Sequence, residues 1–153
     1  MYCLLNQPAG LGDIIFCQKI ADYFVSKGCE VIWPIIDEYY DDVSQYMSKD
    51  GVSFCRLDDD FPLKKYYHSQ ITHPAKLKGE GIYLPVRYAD LVLPDDPIMH
   101  AKYNVLGISF ENWQHHFALK RDKEKEKILY YDVLGLSDDT EYALINKKYG
   151  SPP

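Results

Sequence analysis

Through residue 57 the chain alternates short apolar runs with stretches of helical periodicity, an order that few folds accept. Tyr2-Cys3-Leu4-Leu5-Asn6 reads as a first strand, Val31-Ile32-Trp33-Pro34-Ile35-Ile36 as a second and Val52-Ser53-Phe54-Cys55-Arg56-Leu57 as a third. From Asp13 onward, Phe16, Ile20 and Phe24 recur at helical spacing with Cys17 and Ala21 beside them, while Gln18, Lys19, Asp22 and Ser26 face the other way. Gly28 stands where a glycine ends a helix. Tyr39, Val43 and Met47 mark a second helix, with Asp37 and Glu38 complementing its dipole and Lys49-Asp50-Gly51 stopping it. The β-α-β-α-β order implies an α/β protein: a Rossmann-like, doubly wound, mainly parallel sheet flanked by helices.

Past residue 57 the periodicity is interrupted by Asp58-Asp59-Asp60, by Pro62, Pro74 and Pro85, and by Gly79-Glu80-Gly81. Long loops are expected there, with two short strands near residues 66–71 and 81–86. Pro94-Asp95-Asp96-Pro97 signals a helix start. Phe110, Trp113 and Phe117 mark an apolar helical face after Ser109, and residues 120–127 read as the solvated side of a helix continuing through Ile128 and Tyr131 to Leu134, capped by Gly135. Residues 141–146 read as a late strand. The expected organisation is a domain over residues 1–140, then a crossover strand and linker over 141–153 leading toward a second domain.

Composition narrows the function classes. With 153 residues, 46% hydrophobic and 26% charged, the chain is long and apolar enough for one buried core, which excludes a disordered segment. Its 17 basic against 23 acidic residues leave a net charge of −6, the wrong sign for nucleic acid. No apolar run approaches the roughly 20 residues that cross a bilayer. Met1-Tyr2-Cys3 lacks the basic start of a secretory signal, so a cytoplasmic location is expected. Cys3, Cys17, Cys29 and Cys55 form no C-x-x-C pair, and buried free thiols in a reducing compartment explain them.

The loop Asn6-Gln7-Pro8-Ala9-Gly10-Leu11-Gly12-Asp13 joins the carboxyl end of the first strand to a helix start, where open α/β sheets bind ligands. Gly10 and Gly12 allow a close approach of backbone to ligand, and amides at the helix start suit an anion or a developing negative charge. The dinucleotide fingerprint requires a third glycine where Ile15 stands, and no Gly-Lys-Ser/Thr follows, so neither NAD nor ATP is expected here. Asp13 has two readings, a helix cap or a carboxylate that takes a proton from a sugar hydroxyl.

Other residues read more simply. His115 and His116 are adjacent and point apart, and His68 and His73 lack paired acidic ligands, so no metal is implied. His100 and Lys102 follow the Pro97 helix start and are within reach of a cleft, although a lone histidine is more often packed or at the surface. The carboxylates Asp37, Glu38, Asp41 and Asp42 read as solvation at a helix start. Most of the 14 tyrosines read as packing residues with hydroxyls at the boundary. Tyr39-Tyr40, Tyr66-Tyr67 and Tyr130-Tyr131 are the candidates for a sugar or partner surface. Arg87 is the candidate cation for acceptor or phosphate contact.

Gly10-Leu11-Gly12-Asp13-Ile14-Ile15, set between a first strand and an amphipathic helix ending at Lys27-Gly28, resembles the N-terminal G-x-G-D signature of the heptosyltransferase-type (ADP-heptose) glycosyltransferases. The strands at 31–36 and 52–57 resemble the N-terminal half of the two-domain GT-B fold of that family. The resemblance implies an inverting, metal-independent transfer in which Asp13 is the base that deprotonates an acceptor hydroxyl and Gly10, Leu11 and Gly12 shape the site. It implies a sugar or glycan acceptor as partner, and a nucleotide-sugar donor held mainly by a second domain, with no cofactor bound in this chain. Residues 1–153 then correspond to an acceptor-side half, inactive alone. The competing reading is a non-catalytic Rossmann-like module that binds a partner, a glycan or a second copy of itself.

Overall fold

A computed structural model describes residues 1–87, 91 and 97–143. The chain divides into two compact units, Met1–Lys120 and the segment from Arg121 onward.

In the first unit β1 (Tyr2–Asn6), β2 (Glu30–Ile35) and β3 (Val52–Arg56) lie parallel, as the apolar runs imply. β4 (Ala75–Leu77) and β5 (Gly81–Pro85) complete a five-stranded sheet in the order β3-β2-β1-β5-β4, with β4 alone antiparallel. The strand order reverses at β1. This is a mostly parallel α/β sheet flanked by helices, compatible with a Rossmann-like fold. Alternation along the strands divides the core. Cys3, Leu5, Val31, Trp33, Ile35 and Leu84 face the helices, whereas Leu4, Ile32 and Tyr83 face Phe61, Leu63, Tyr67 and Leu77 of the crossover from β3 to β5.

Pro34 shapes the carboxyl end. The Glu30 amide bonds toward β1, to Met1 O, and the Val31 amide toward β3, to Gly51 O, so alternation turns position 34 toward β1, where proline has no donor. The β1–β2 ladder stops at Leu4↔Ile32, while β1 stays paired with β5 as far as Asn6↔Pro85. Side-chain and loop bonds bridge the gap: the Trp33 indole N–H donates to Gln7 O at 2.8 Å, and the Ile36 amide to Pro8 O at 3.0 Å.

The helix expected from Asp13 begins earlier and is broken. α1 spans Leu11–Phe16 and α2 spans Gln18–Ser26, interrupted at Cys17. The Phe16 carbonyl accepts from the Tyr103 hydroxyl at 2.5 Å, and the Ile20 amide bonds to Cys17 O at 3.0 Å, tightening the turn. Gly28, at φ +80°, follows α2 with the 6→1 bond from the Cys29 amide to Phe24 O that closes helices of this kind. α3 (Asp37–Tyr46) buries Val43, with Met47 just past its end, as the spacing predicts. Its Asp37 and Asp41 clamp Arg56 at 2.8 and 2.7 Å, giving those carboxylates a partner beyond solvent.

Between residues 57 and 97 the expectation is partly corrected. Residues 66–71 form no strand, because Leu63 at φ +68° turns the chain into a 3-10 turn, Lys64–Tyr66. β4 was not expected, and β5 falls where a strand was. The segment 94–96 lies outside the described residues, but α4 (Ile98–Asn104) begins directly after Pro97. The helical face expected at Phe110, Trp113 and Phe117 is instead an irregular strap with one 3-10 turn, Trp113–His116. Trp113 packs on Phe16, centroids 4.8 Å apart, and Phe110 stacks on His100 at 3.7 Å. Polar residues anchor the strap: Lys19 donates to Glu111 O, Lys49 to His116 O, the Ala118 amide to Gln18 Oε1 and the Lys120 amide to Tyr46 O. Gln18, expected at the surface, is therefore buried.

In the second unit α5 (Lys123–Lys127) starts at Asp122, whose carboxylate caps the Lys125 amide. It continues as a π-helical turn, Ile128–Val133, in which the Leu134 amide reaches back to Leu129 O. The mixed-sign run is solvated, with Arg121–Glu126 and Lys127–Glu124 pairs. Residues 141–143 belong to no strand, and 144–146 lie outside the described residues. No helix among the described residues is long and apolar enough to cross a membrane.

Candidate functional site

At the carboxyl end of β1 the loop after β1, the end of β5 and one residue of α4 come together. Gly10 precedes α1 at φ +78°, a conformation that side chains disfavour. A Cβ at that position would stand 2.6 Å from Asp13 Oδ2, so glycine is what lets the carboxylate fold back over the loop. Leu11 and Gly12 are exposed in the first turn of α1, and Asp13 is half-buried. Gly10 takes the N-cap position of α1, and Asp13 stands inside the first turn, where its charge also complements the helix dipole.

Its partner is Lys102. This lysine is fully buried, and its ammonium lies 3.3 Å from Asp13 Oδ1. It donates to Gln7 Oε1 at 2.5 Å and to Val86 O at 2.6 Å. A buried ammonium is costly unless its donors and its charge are both met. Here two carbonyl oxygens and one carboxylate meet them. Gln7 is held in turn, since its Nε2 donates to Ala9 O at 2.6 Å. The neighbouring Cys17 thiol is pushed up to about 12, chiefly by burial, with the Lys102 charge opposing and the Asp13 charge adding. It is a neutral thiol at physiological pH and no nucleophile.

Asn6, at the end of β1, donates from Nδ2 to the Tyr83 hydroxyl at 2.6 Å, while its Oδ1 has no hydrogen-bond partner among the described residues. Arg87, half-buried, follows Val86 at the end of β5, the strand beside β1. The fold thus gathers the Gly10–Asp13 loop and Lys102, and sets Arg87 on the adjacent strand end. Of His100 and Lys102, the lysine meets Asp13, whereas the histidine is stacked on Phe110. The sequence signalled Lys102 only by its place after a helix start. Its partnership with Asp13 is tertiary.

The remaining candidates resolve into packing and surface pairs. His116 Nδ1 lies 2.8 Å from Asp22 Oδ2, and Lys49 lies 2.8 Å from Asp22 Oδ1. Among the described residues no cluster of three or more His, Cys, Asp or Glu side chains could hold a metal ion. Cys3, Cys17 and Cys29 are buried free thiols, and Cys55 is half-buried. A cavity of about 880 Å³ lies at the opposite, amino end of the sheet, between Met1, Tyr2, Leu63, Leu77 and Lys78, away from Asp13. In the second unit Arg121, Lys127, Tyr130 and Tyr142 line a groove of about 430 Å³.

The half-buried Asp13 carboxylate is a hydrogen-bond acceptor with one oxygen beside Lys102. The ammonium beside it is already spent on protein acceptors. Compared with known proteins, the chain matches no family model, no curated protein and no solved structure.

Proposed function

We propose that residues 1–120 form the acceptor-side domain of a GT-B-type, inverting, metal-independent glycosyltransferase in which Asp13 is the general base. The observation that supports this most directly is the Asp13 carboxylate, half-buried at the carboxyl end of β1 where the strand order reverses, with one oxygen tied to Lys102. In the proposed step the acceptor hydroxyl gives its proton to Asp13. The acceptor oxygen then bonds to the anomeric carbon as the nucleoside diphosphate departs with the electron pair of the broken bond. Gly10 and Gly12 keep the loop low enough for a sugar to approach. The donor is assigned to a second domain of the complete enzyme.

The test uses the product of the whole reading frame, incubated with a panel of nucleotide sugars and sugar acceptors while nucleoside diphosphate release is followed. Wild-type protein is expected to transfer from at least one donor, and Asp13→Asn to lower turnover by about 10²-fold or more. Undiminished turnover in the variant, or no transfer from any donor, sinks the proposal.

The same ion pair favours a second reading, a non-catalytic module in which Asp13 serves only to neutralise a buried ammonium. Asp13→Asn then costs about 1–3 kcal/mol of stability and leaves partner binding intact.

A further inference from the structure

We infer that Lys102 is the positioning residue for Asp13: its ammonium holds Oδ1 at the carboxyl end of β1 and leaves Oδ2 as the oxygen that receives the acceptor proton. This rests on the reading of Asp13 as a general base. An ammonium has three donors. Two are fixed by oxygens that owe nothing to Asp13, Gln7 Oε1 on the loop after β1 and Val86 O at the end of β5. Both strands beside the reversal point therefore locate the ammonium, and the carboxylate conforms to it.

Gly10 completes the device. Only a residue without Cβ leaves room for Oδ2 where it stands, so lysine from one side and glycine from the other select one rotamer of Asp13. In the step, the acceptor O–H bond breaks and an Oδ2–H bond forms, while the electron pair stays on the acceptor oxygen for attack on the anomeric carbon. Lys102 keeps its own proton throughout. Because its donors are spent, it does not serve as a phosphate ligand, and the group facing Asp13 is a neutral hydroxyl.

The experiment compares Lys102→Met, Lys102→Arg and Asp13→Asn with wild type in the whole-frame product, using the donor and acceptor found active in the panel, alongside a crystal structure of Lys102→Met. The expected result is an Asp13 carboxylate swung away from Gly10, with kcat reduced by about 10²-fold, KM changed by no more than about threefold, and partial rescue in Lys102→Arg. A carboxylate that stays in place in Lys102→Met overturns the inference, as does unchanged kcat when Asp13→Asn is inactive; in both cases the base reading survives. Full turnover by Asp13→Asn removes the base reading itself, and the role of Lys102 with it. Should Lys102→Met not fold, Lys102→Gln takes its place. Failure of both to fold, with Asp13→Asn folding normally, overturns the inference by assigning the lysine to the fold alone.

Discussion

The two ends of the sheet differ in kind. At the amino end, Met1, Tyr2, Leu63 and Leu77 surround an open cavity of about 880 Å³ with lysines at its rim. At the carboxyl end the polar groups are committed to one another. Trp33, Gln7, Lys102, Val86 and Asp13 are joined by short hydrogen bonds and one ion pair, most of them buried. Volume marks the first end and fixed polar chemistry the second. An α/β sheet acts through the second, because a reaction needs groups held in place more than it needs room.

Substitutions sharpen the contrast. The largest effect is expected from Trp33→Ala, which empties a fully buried site and strips Gln7 O of its donor. It should cost about 3–5 kcal/mol in urea unfolding. A loss below about 1 kcal/mol would mean that the carboxyl end is held by something else.

Alkali gives the next effect. An unfolded thiol ionises near 9.0, whereas folded Cys17 holds its proton to about 12. Above pH 9 the folded state binds more protons than the unfolded one, so stability is fully present below pH 9 and falls as pH rises through that window. The loss is about 1.4 kcal/mol per pH unit for this thiol. Urea midpoints from pH 8 to 11 should fall less steeply in Cys17→Ser, and equal slopes would remove Cys17 from the account.

The smallest effect belongs to the amino end. Lys78→Ala should change stability by no more than about 0.5 kcal/mol. A larger loss would give that end a bonded structure too, and the contrast would dissolve.

The parallel sheet was legible because β1 and β2 are apolar on both faces, and α3 because Val43 and Met47 recur at one spacing. Legibility failed where a distant group intervened. Nothing near Cys17 breaks a helix, since the hydroxyl that takes the Phe16 carbonyl comes from Tyr103. Gln18 reads as a surface residue until the strap covers it. β4 is three residues long and owes its existence to β5, so local propensity carries little sign of it. In the candidate site, the loop and Asp13 could be read from spacing. Lys102 could be placed within reach of a cleft from its position after Pro97, but only the assembled loop and strand end supply the three oxygens that make its burial tolerable.

The strap over α2 has a kinetic consequence. It is fastened by hydrogen bonds donated by Lys19 and Lys49, by bonds from its own Ala118 and Lys120 amides to Gln18 and Tyr46, and by the Trp113 ring, and it contributes no strand to the sheet. Detaching residues 109–120 withdraws Trp113 from Phe16 and uncovers Gln18 while leaving the strand ladders intact, so this segment forms a unit that opens at a lower free energy than the sheet unfolds. In hydrogen exchange the Ala118 and Lys120 amides should then lose protection well before those of β1 and β2.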